Sequence, residues 1–371
     1  VFAKRAPIWK HLVFMTQPLS FAILGCGTIA PTHAKALLSL SDRACLSAVC
    51  DVIPERAATL AKEYGGRVRS WNEILADPGI QAVSICTPSG LHAAQAAEAL
   101  LAGKHVVVEK PFDIHAAACE PALKAAKESG KILTVISQHR FDRASLAARR
   151  LVEESALGRI FGVNVRIPWF RTQEYYDSGD WRGTWEMDGG GCLMNQGIHT
   201  VDLMLWLAGP VKRVWARTLT AAHQRIAVED HLCATVEFAS GAIGNLSAST
   251  ATYPGFPVWL EIAGTEGTVL IEGDEIHTVA IRGRETVRGT AHEHARQVAA
   301  GGTLGATEAS TGEALGNQWV WGDAHRAQLD DFITACRDHR PPAVDGLSAR
   351  AAVAFIGAVY RSARLGMAVE L

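Results

Sequence analysis

The stretch AILGCGTIAPTHAKAL sets Gly25-x-Gly27-x-x-Ala30 between a β-rich apolar run and a helical one, and Asp51 ends the next β-rich run, CLSAVCD. That spacing suits a bound dinucleotide. Gly25 permits a tight turn, Gly27 lets the backbone approach a pyrophosphate, and Ala30 keeps the helix close to the sheet. The helix N-terminus attracts the phosphates. Cys26, Thr28 and Ile29 share the turn and are assigned to the cofactor with the glycines. A carboxylate at Asp51 is placed to bond the ribose hydroxyls of NAD and to repel the 2′-phosphate of NADP. Arg56, close by, would soften that preference.

A second group lies in GGGCLMNQGIHTVD, residues 189–202, where three glycines run into Asn195, Gln196, His199 and Asp202. Two explanations compete. The glycines make a loose turn before a buried amphipathic helix, or they clear backbone for a ligand to which the helix presents its polar groups. If 192–206 is helical, Asn195, His199, Asp202 and Trp206 share one face. Upstream, WFRTQEYYDSGDWRGTW interleaves Trp169, Tyr175, Tyr176, Trp181 and Trp185 with Arg171 and Arg182. Aromatic faces beside hydrogen-bonding groups suit a pyranose, and packing between domains is the competing reading. By count, Glu174, Asp177, Asp180, Glu186 and Asp188 match the two arginines, which favours a neutral sugar or cyclitol over a diphosphate-bearing one. The histidines show neither H-x-x-x-H nor H-E-x-x-H spacing, so no metal is expected.

These groups need a scaffold. Up to about residue 140, near-continuous apolar runs (LSFAILG, CLSAVCD, QAVSICTP, KHVVVEKP, ILTVISQ) alternate with helical ones, which implies a doubly wound parallel α/β sheet covered on both faces. After about residue 143, the helix ASLAARRLVEES leads to the strand IFGVNVRI and then to the helix carrying His199. The strands VKRVWARTL, HLCATVEFAS, AIGNLSAST, VWLEIAG and GTVLIEG follow in series, implying an α+β domain with a large, mostly antiparallel open sheet. Two helices, GDAHRAQLDDFITACRDH and SARAAVAFIGAVYRSAR, close the chain. AAGGTLGATEASTGEALGN, residues 299–317, reads as a long surface loop. The expected division is an N-terminal extension (1–18), a Rossmann dinucleotide-binding domain (19–142) and a C-terminal substrate-binding domain (143–371).

Composition narrows the classes. The 371 residues are 48% hydrophobic and 20% charged, with a net charge of −2. No basic run points to nucleic acid, and no apolar stretch approaches the ~20 residues of a membrane span. The eight cysteines form no C-x-x-C pair. They read as buried free thiols of a cytoplasmic protein, so the acceptor-like Asn245-Leu246-Ser247 is taken as chance. Residues 1–14 lack the apolar core of a signal peptide, and Met15 is the expected natural start.

TPSGLHAAQAAEALLAGKHVVVEKPF carries Thr87-Pro88 at one strand end, His92 on the next helix and Glu109-Lys110-Pro111 at the following strand end. With QHRFD at 138–142, GGGCLMNQGIHTVD, GDAHRAQLDDF and PPAVDG, this resembles the glucose-fructose oxidoreductase, inositol dehydrogenase and rhizopine catabolism family, Gfo/Idh/MocA, from Leu19 to Leu371. The resemblance implies NAD-dependent interconversion of a secondary hydroxyl and a ketone on a sugar or cyclitol. It also implies a site between the two domains, and a homodimer or homotetramer formed through the open sheet. It assigns Thr87, Pro88, His92, Glu109, Lys110 and Gln138 to the cofactor. Lys110 and His199 become the proton-transfer pair and Asn195 an orienting group. Arg140, Trp181, Arg182 and Gln196 join these three at the substrate. Relatives read D-x-G-x-H-x-x-D where this chain has Asn195, an amide that orients but cannot take a proton. An Asn occurs there in the branch resembling UDP-N-acetyl-aminoglucuronate dehydrogenases. Two other activities occur in the family: glycosidases that oxidise transiently with tightly held NAD, and sugar-responsive regulators without chemistry. Retention of Lys110 and His199 argues against the last.

Overall fold

The computed structural model describes residues 17–284, 286–288 and 323–371. The loop expected at 299–317 and the extension at 1–14 lie outside them.

Six parallel strands make the first sheet: β1 (Leu19–Leu24), β2 (Ala44–Cys50), β3 (Arg67–Val68), β4 (Ala82–Ile85), β5 (His105–Val108) and β6 (Leu133–Val135), in the order β3-β2-β1-β4-β5-β6. The order reverses at β1, so a crevice opens beyond the carboxyl ends of β1 and β4, where doubly wound sheets bind ligands. Every residue of β4 is buried, as its unbroken apolar run requires. Helices α1 (Ala30–Leu38), α2 (Pro54–Tyr64), α3 (Trp71–Ala76), α4 (His92–Leu101) and α5 (Glu120–Ser129) connect these strands. The two-residue β3 and the short α3, with its Ser70–Glu73 capping box, carry too little apolar pattern to be read from sequence.

Helix α6 (Arg143–Glu153) leads into a second sheet of nine strands among the described residues. They are β7 (Ile160–Pro168), β8 (Val211–Leu219), β9 (His231–Phe238), β10 (Ile243–Ser249), β11 (Trp259–Gly264), β12 (Gly267–Glu272), β13 (Glu275–Ile281), β14 (Val287–Arg288) and β15 (Val369–Glu370). Their order is β14-β13-β12-β11-β7-β10-β9-β8-β15, antiparallel except for the β7–β10 pair. One face is buried under α8 (Ile198–Ala208). The other exposes Trp215, Ile243 and Trp259, the polar-out pattern of an open sheet with apolar exceptions. A short helix, α7 (Gln173–Asp177), lies in the aromatic segment.

The closing helices return to both sheets. Leu329, Phe332 and Ile333 of α9 (Asp323–Asp338) enter the core of the first sheet beside Phe21, and Asp330 pairs with Arg43. Helix α10 (Gly346–Leu365), capped by Asp345 accepting from the Ser348 amide at 2.8 Å, packs on α8 and β8. The boundary at residue 143 therefore separates the two sheets but not all that covers them: α9, far beyond it, belongs to the core of the first. No helix among the described residues is long and apolar enough to cross a membrane.

Candidate active site

The turn after β1 closes around Gly25, whose φ is +87° and whose absent Cβ would lie 2.7 Å from the Cys86 carbonyl carbon. A side chain here would push β4 away. At Gly27 nothing lies within 4 Å of the equivalent position, so open space borders the N-terminus of α1, with Gly27 and Ile29 half-buried and Thr28 exposed. Asp51 is pinned at the tip of β2, accepting from the Cys26 amide at 2.6 Å and the Ile53 amide at 2.8 Å. Arg56 is exposed on the first turn of α2. Clear space at Gly27 before the N-terminus of α1 and a fixed carboxylate at Asp51 fit the diphosphate and ribose of a dinucleotide.

The ends of β4 and β5 are tied together from below. His92 is buried, its two ring nitrogens each 2.7 Å from a carbonyl oxygen, those of Thr87 and Pro111. It ties the two loops together. The Thr87 hydroxyl donates to Gln95 at 2.6 Å, and Pro88 is half-buried beside it. Glu109 also points inward, to His33 at 2.8 Å and His325 at 3.5 Å, and its other oxygen accepts from the Lys110 amide at 3.1 Å. Burial pushes this carboxyl up, but hydrogen bonds from His325 and His33 outweigh it and hold the pKa well below the usual range. Glu109 thus braces Lys110 from behind. The Lys110 ammonium donates to the Asn195 carbonyl at 2.9 Å. Burial draws its pKa below that of an ordinary lysine, aided by Arg171 and Arg182 and opposed by Glu109 and Asp188.

The glycines of 189–191 are packed against protein, not cleared for a ligand. A Cβ at Gly191 would lie 1.8 Å from the Glu229 carbonyl oxygen, and one at Gly190 would lie 2.2 Å from the Tyr360 hydroxyl. The following residues, Cys192–Gly197, form a π-helical turn before α8. Its first amides need acceptors. The Glu229 carboxylate accepts from the Gly191 and Leu193 amides, each at 3.0 Å, and from the Tyr360 hydroxyl at 2.9 Å. Glu229 sits 36 positions from Leu193, and no local pattern announced it.

Beyond this turn, His199 and Asp202 line one cavity with Lys110. Asp202 and Trp206 turn toward Arg140, which donates to the Asp202 carboxylate at 2.7 and 2.5 Å and stacks 5.5 Å above the Trp206 ring. Arg140 is a buried strut between the segment after β6 and α8. Asn195 and Gln196 turn instead toward Lys110 and the aromatic segment. The Asn195 amide donates to Asp188, a buried carboxylate that also accepts from the Gly183 amide at 2.9 Å. Counted in sequence as one of five carboxylates matching the two arginines, Asp188 lies buried beside Asn195.

Gln196 accepts from Arg171 at 2.8 Å and donates to the Tyr175 hydroxyl at 2.7 Å, which in turn accepts from Arg182 at 2.8 Å. The Arg182 guanidinium lies 4.4 Å from the ring centres of both Tyr175 and Trp181. Arg171 stacks 5.3 Å from Trp169 and from Tyr175. Its Nε and Nη1 atoms are buried without a partner among the described residues. Of the five carboxylates counted against the arginines, Asp188 lies in the site and feels Arg182 and Lys110, whereas Asp177 pairs with Arg225 at 2.6 Å and Glu174, Asp180 and Glu186 are exposed. Two aromatics serve packing, Tyr176 through Thr250 at 2.8 Å and Trp185 through the Ala227 carbonyl at 2.9 Å.

His199 lines one small cavity with Lys110 and Ser137. Its ring nitrogens have no hydrogen-bond partner among the described residues, and its ring meets that of His139 edge-on at 5.1 Å. Burial first, then Lys110 and His139, hold its pKa well below the ordinary imidazole value. Nearby, the Gln138 side-chain oxygen is buried and unpartnered, free to accept from a bound group.

Residues 19–137 match the oxidoreductase family with an NAD-binding Rossmann fold, and residues 145–270 match the GFO/IDH/MocA C-terminal domain. Scyllo-inositol 2-dehydrogenase (NAD(+)) of Bacillus subtilis is 28% identical over 96% of this chain and 97% of its own. D-glucoside 3-dehydrogenase of Escherichia coli is 30% identical over 64% of this chain and 71% of its own. The WlbA dehydrogenase of Chromobacterium violaceum, solved with NADH and UDP-GlcNAcA, is 35% identical over 96% of both chains with a TM-score of 0.81.

Proposed function

This chain belongs to the Gfo/Idh/MocA oxidoreductases, an NAD-binding family of sugar and cyclitol dehydrogenases, and we propose that it oxidises a secondary ring hydroxyl of a sugar bearing an anionic group. The observation that carries the substrate reading is Arg171, whose Nε and Nη1 are buried without a partner among the described residues while its Nη2 donates to Gln196, beside Asn195 and Lys110. A guanidinium left so desolvated favours an anionic oxygen of a carboxylate or phosphate, to which a free N–H can donate a charge-assisted hydrogen bond. The UDP-GlcNAcA held by the WlbA dehydrogenase is of that charge class. The neutral ring favoured by counting charges is weakened, because only Asp188 of the five carboxylates counted is shown to feel one of the two arginines.

NAD supplies the hydride acceptor. The protein supplies the proton acceptor and the orientation. A base suited to neutral pH has a pKa near 7, and burial moves Lys110 toward that value and His199 away from it. Lys110 is therefore the base that takes the hydroxyl proton, and His199 is the neutral imidazole that orients the same oxygen. Asn195 and Asp188 set the Lys110 side chain in place. The exposed Trp215, Ile243 and Trp259 make the open sheet the surface for a second copy.

The test is NADH absorbance with uronates and nucleotide sugars on one side and neutral sugars and cyclitols on the other. Turnover of an anionic substrate at much lower KM is expected. Turnover confined to neutral rings refutes the anionic reading, and product cleavage without NADH accumulation refutes net oxidation in favour of a hydrolase.

A further inference from the structure

The segment QHRFD contributes more than Gln138. His139 follows β6, and its Nδ1 lies 2.7 Å from Asp142, the residue before α6, and 3.2 Å from Asp274, in the turn between β12 and β13. The two carboxylates come from different parts of the fold, so one ring ties the first sheet's last strand to the edge half of the second sheet. The far side of that ring meets His199. We propose that His139, held as an imidazolium between Asp142 and Asp274, is a positioning residue that keeps His199 neutral and fixes its ring over Lys110. The inference rests on the role given to His199 above.

An imidazole clamped between two carboxylates holds its proton. Burial opposes this, but the hydrogen bonds with Asp142 and Asp274 prevail and lift His139 to about 10. A cation edge-on to His199 then disfavours a second positive charge there. The other charged groups around His199 are Lys110 and His325, which act in the same direction, and Glu109, which opposes them. Asp202, on α8, is the remaining carboxylate near His139, and it is already neutralised by Arg140. A neutral His199 can accept or donate one hydrogen bond to a hydroxyl, whereas an imidazolium could only donate.

The experiment is imidazole NMR of the full chain labelled at histidine nitrogen, with His199 assigned from the His199→Gln spectrum. In the unmodified protein the His199 resonances should step at the His139 midpoint, near 10. In His139→Gln the His199 midpoint should rise by about one unit or more, because one of its neighbouring cations is gone and two carboxylates remain. Asp274→Asn should lower the His139 midpoint. Absence of the step in the unmodified protein overturns the proposal, as does an unmoved His199 midpoint in folded His139→Gln. Should that variant not fold, the step alone decides. These readouts do not pass through turnover. If His199→Gln stays active while the step is present, the catalytic reading fails and the coupling stands.

Discussion

The two halves of the cleft treat their polar groups differently. On the nucleotide side three are already satisfied by protein: Asp51 by two amides, His92 by two carbonyls, Glu109 by two histidines. On the substrate side Arg171 keeps two buried donors, Nε and Nη1, without a partner among the described residues. A cofactor common to a family can be met by a rigid frame that needs no adjustment. A substrate must supply the missing partners itself, and a buried donor left unpaired costs about 1–3 kcal/mol until it does. Binding the right ring relieves that cost and binding the wrong one does not, so the unsatisfied half is where specificity resides.

The sharpest way to break this division is to remove the reacting groups. Lys110→Ala and His199→Ala should each bind NAD normally and lose about 10²–10⁴-fold in turnover. Fluorescence titration with NADH and steady-state rates measure the two separately. Near-full activity in both variants would place the chemistry elsewhere. The pH profile adds a direction. Because burial lowers the Lys110 pKa, kcat/KM should rise with pH through a midpoint below that of an ordinary lysine, as the neutral amine appears. A profile flat from pH 6 to pH 10 contradicts Lys110 as the base.

Next in size is Arg171→Gln. A charge-assisted hydrogen bond contributes about 1.5–3 kcal/mol, so KM for an anionic sugar should rise about 10–150-fold with little change in NAD affinity. An equal loss for neutral rings would mean that Arg171 only shapes the pocket. The mirror experiment acts on the other half. Asp51→Asn removes the charge that opposes a 2′-phosphate, and it should narrow the preference for NAD over NADP by about tenfold while leaving the KM of the sugar unchanged. Equal or tighter binding of NADP by the unmodified protein refutes the cofactor preference outright.

The same contrast explains what could be read from the sequence. The nucleotide half is made of contacts near strand ends, so Gly25, Gly27, Ala30 and Asp51 carry their geometry in their spacing. The substrate half is made of distant pairs. Arg140 looks like a free cation in QHRFD because its partner, Asp202, lies 62 positions away. In sequence Asp188 counts as one carboxylate among five, although its environment is set by Asn195 and the Gly183 amide. The glycines of 189–191 announce close approach correctly, but only the fold reveals that Glu229 and Tyr360 are what approach. The π-helical turn shifts register by a residue, and a 3.6-residue pattern cannot register that.

The smallest effect should come from Asn195→Ala, and it sharpens the comparison most finely. Its side chain donates to Asp188 and accepts weakly from Gln196 at 3.3 Å, while Lys110 binds only its main-chain carbonyl. Alanine keeps that carbonyl, so the lysine retains its anchor. What is lost is one donor to Asp188, whose pKa burial already raises against the pull of the Gly183 amide and Asn195. Deprived of Asn195, the carboxyl should hold a proton to higher pH and offer Lys110 less compensating charge. The lysine pKa then falls a little further, and the rate loss should be about tenfold or less, with its pH midpoint displaced downward rather than upward. Asn195→Asp should move the same midpoint the opposite way, by adding a second carboxylate beside Lys110. A loss in Asn195→Ala as deep as that in His199→Ala, or midpoints that coincide in both Asn195 variants, would show that this side chain touches the reacting atoms instead of arranging the groups that do.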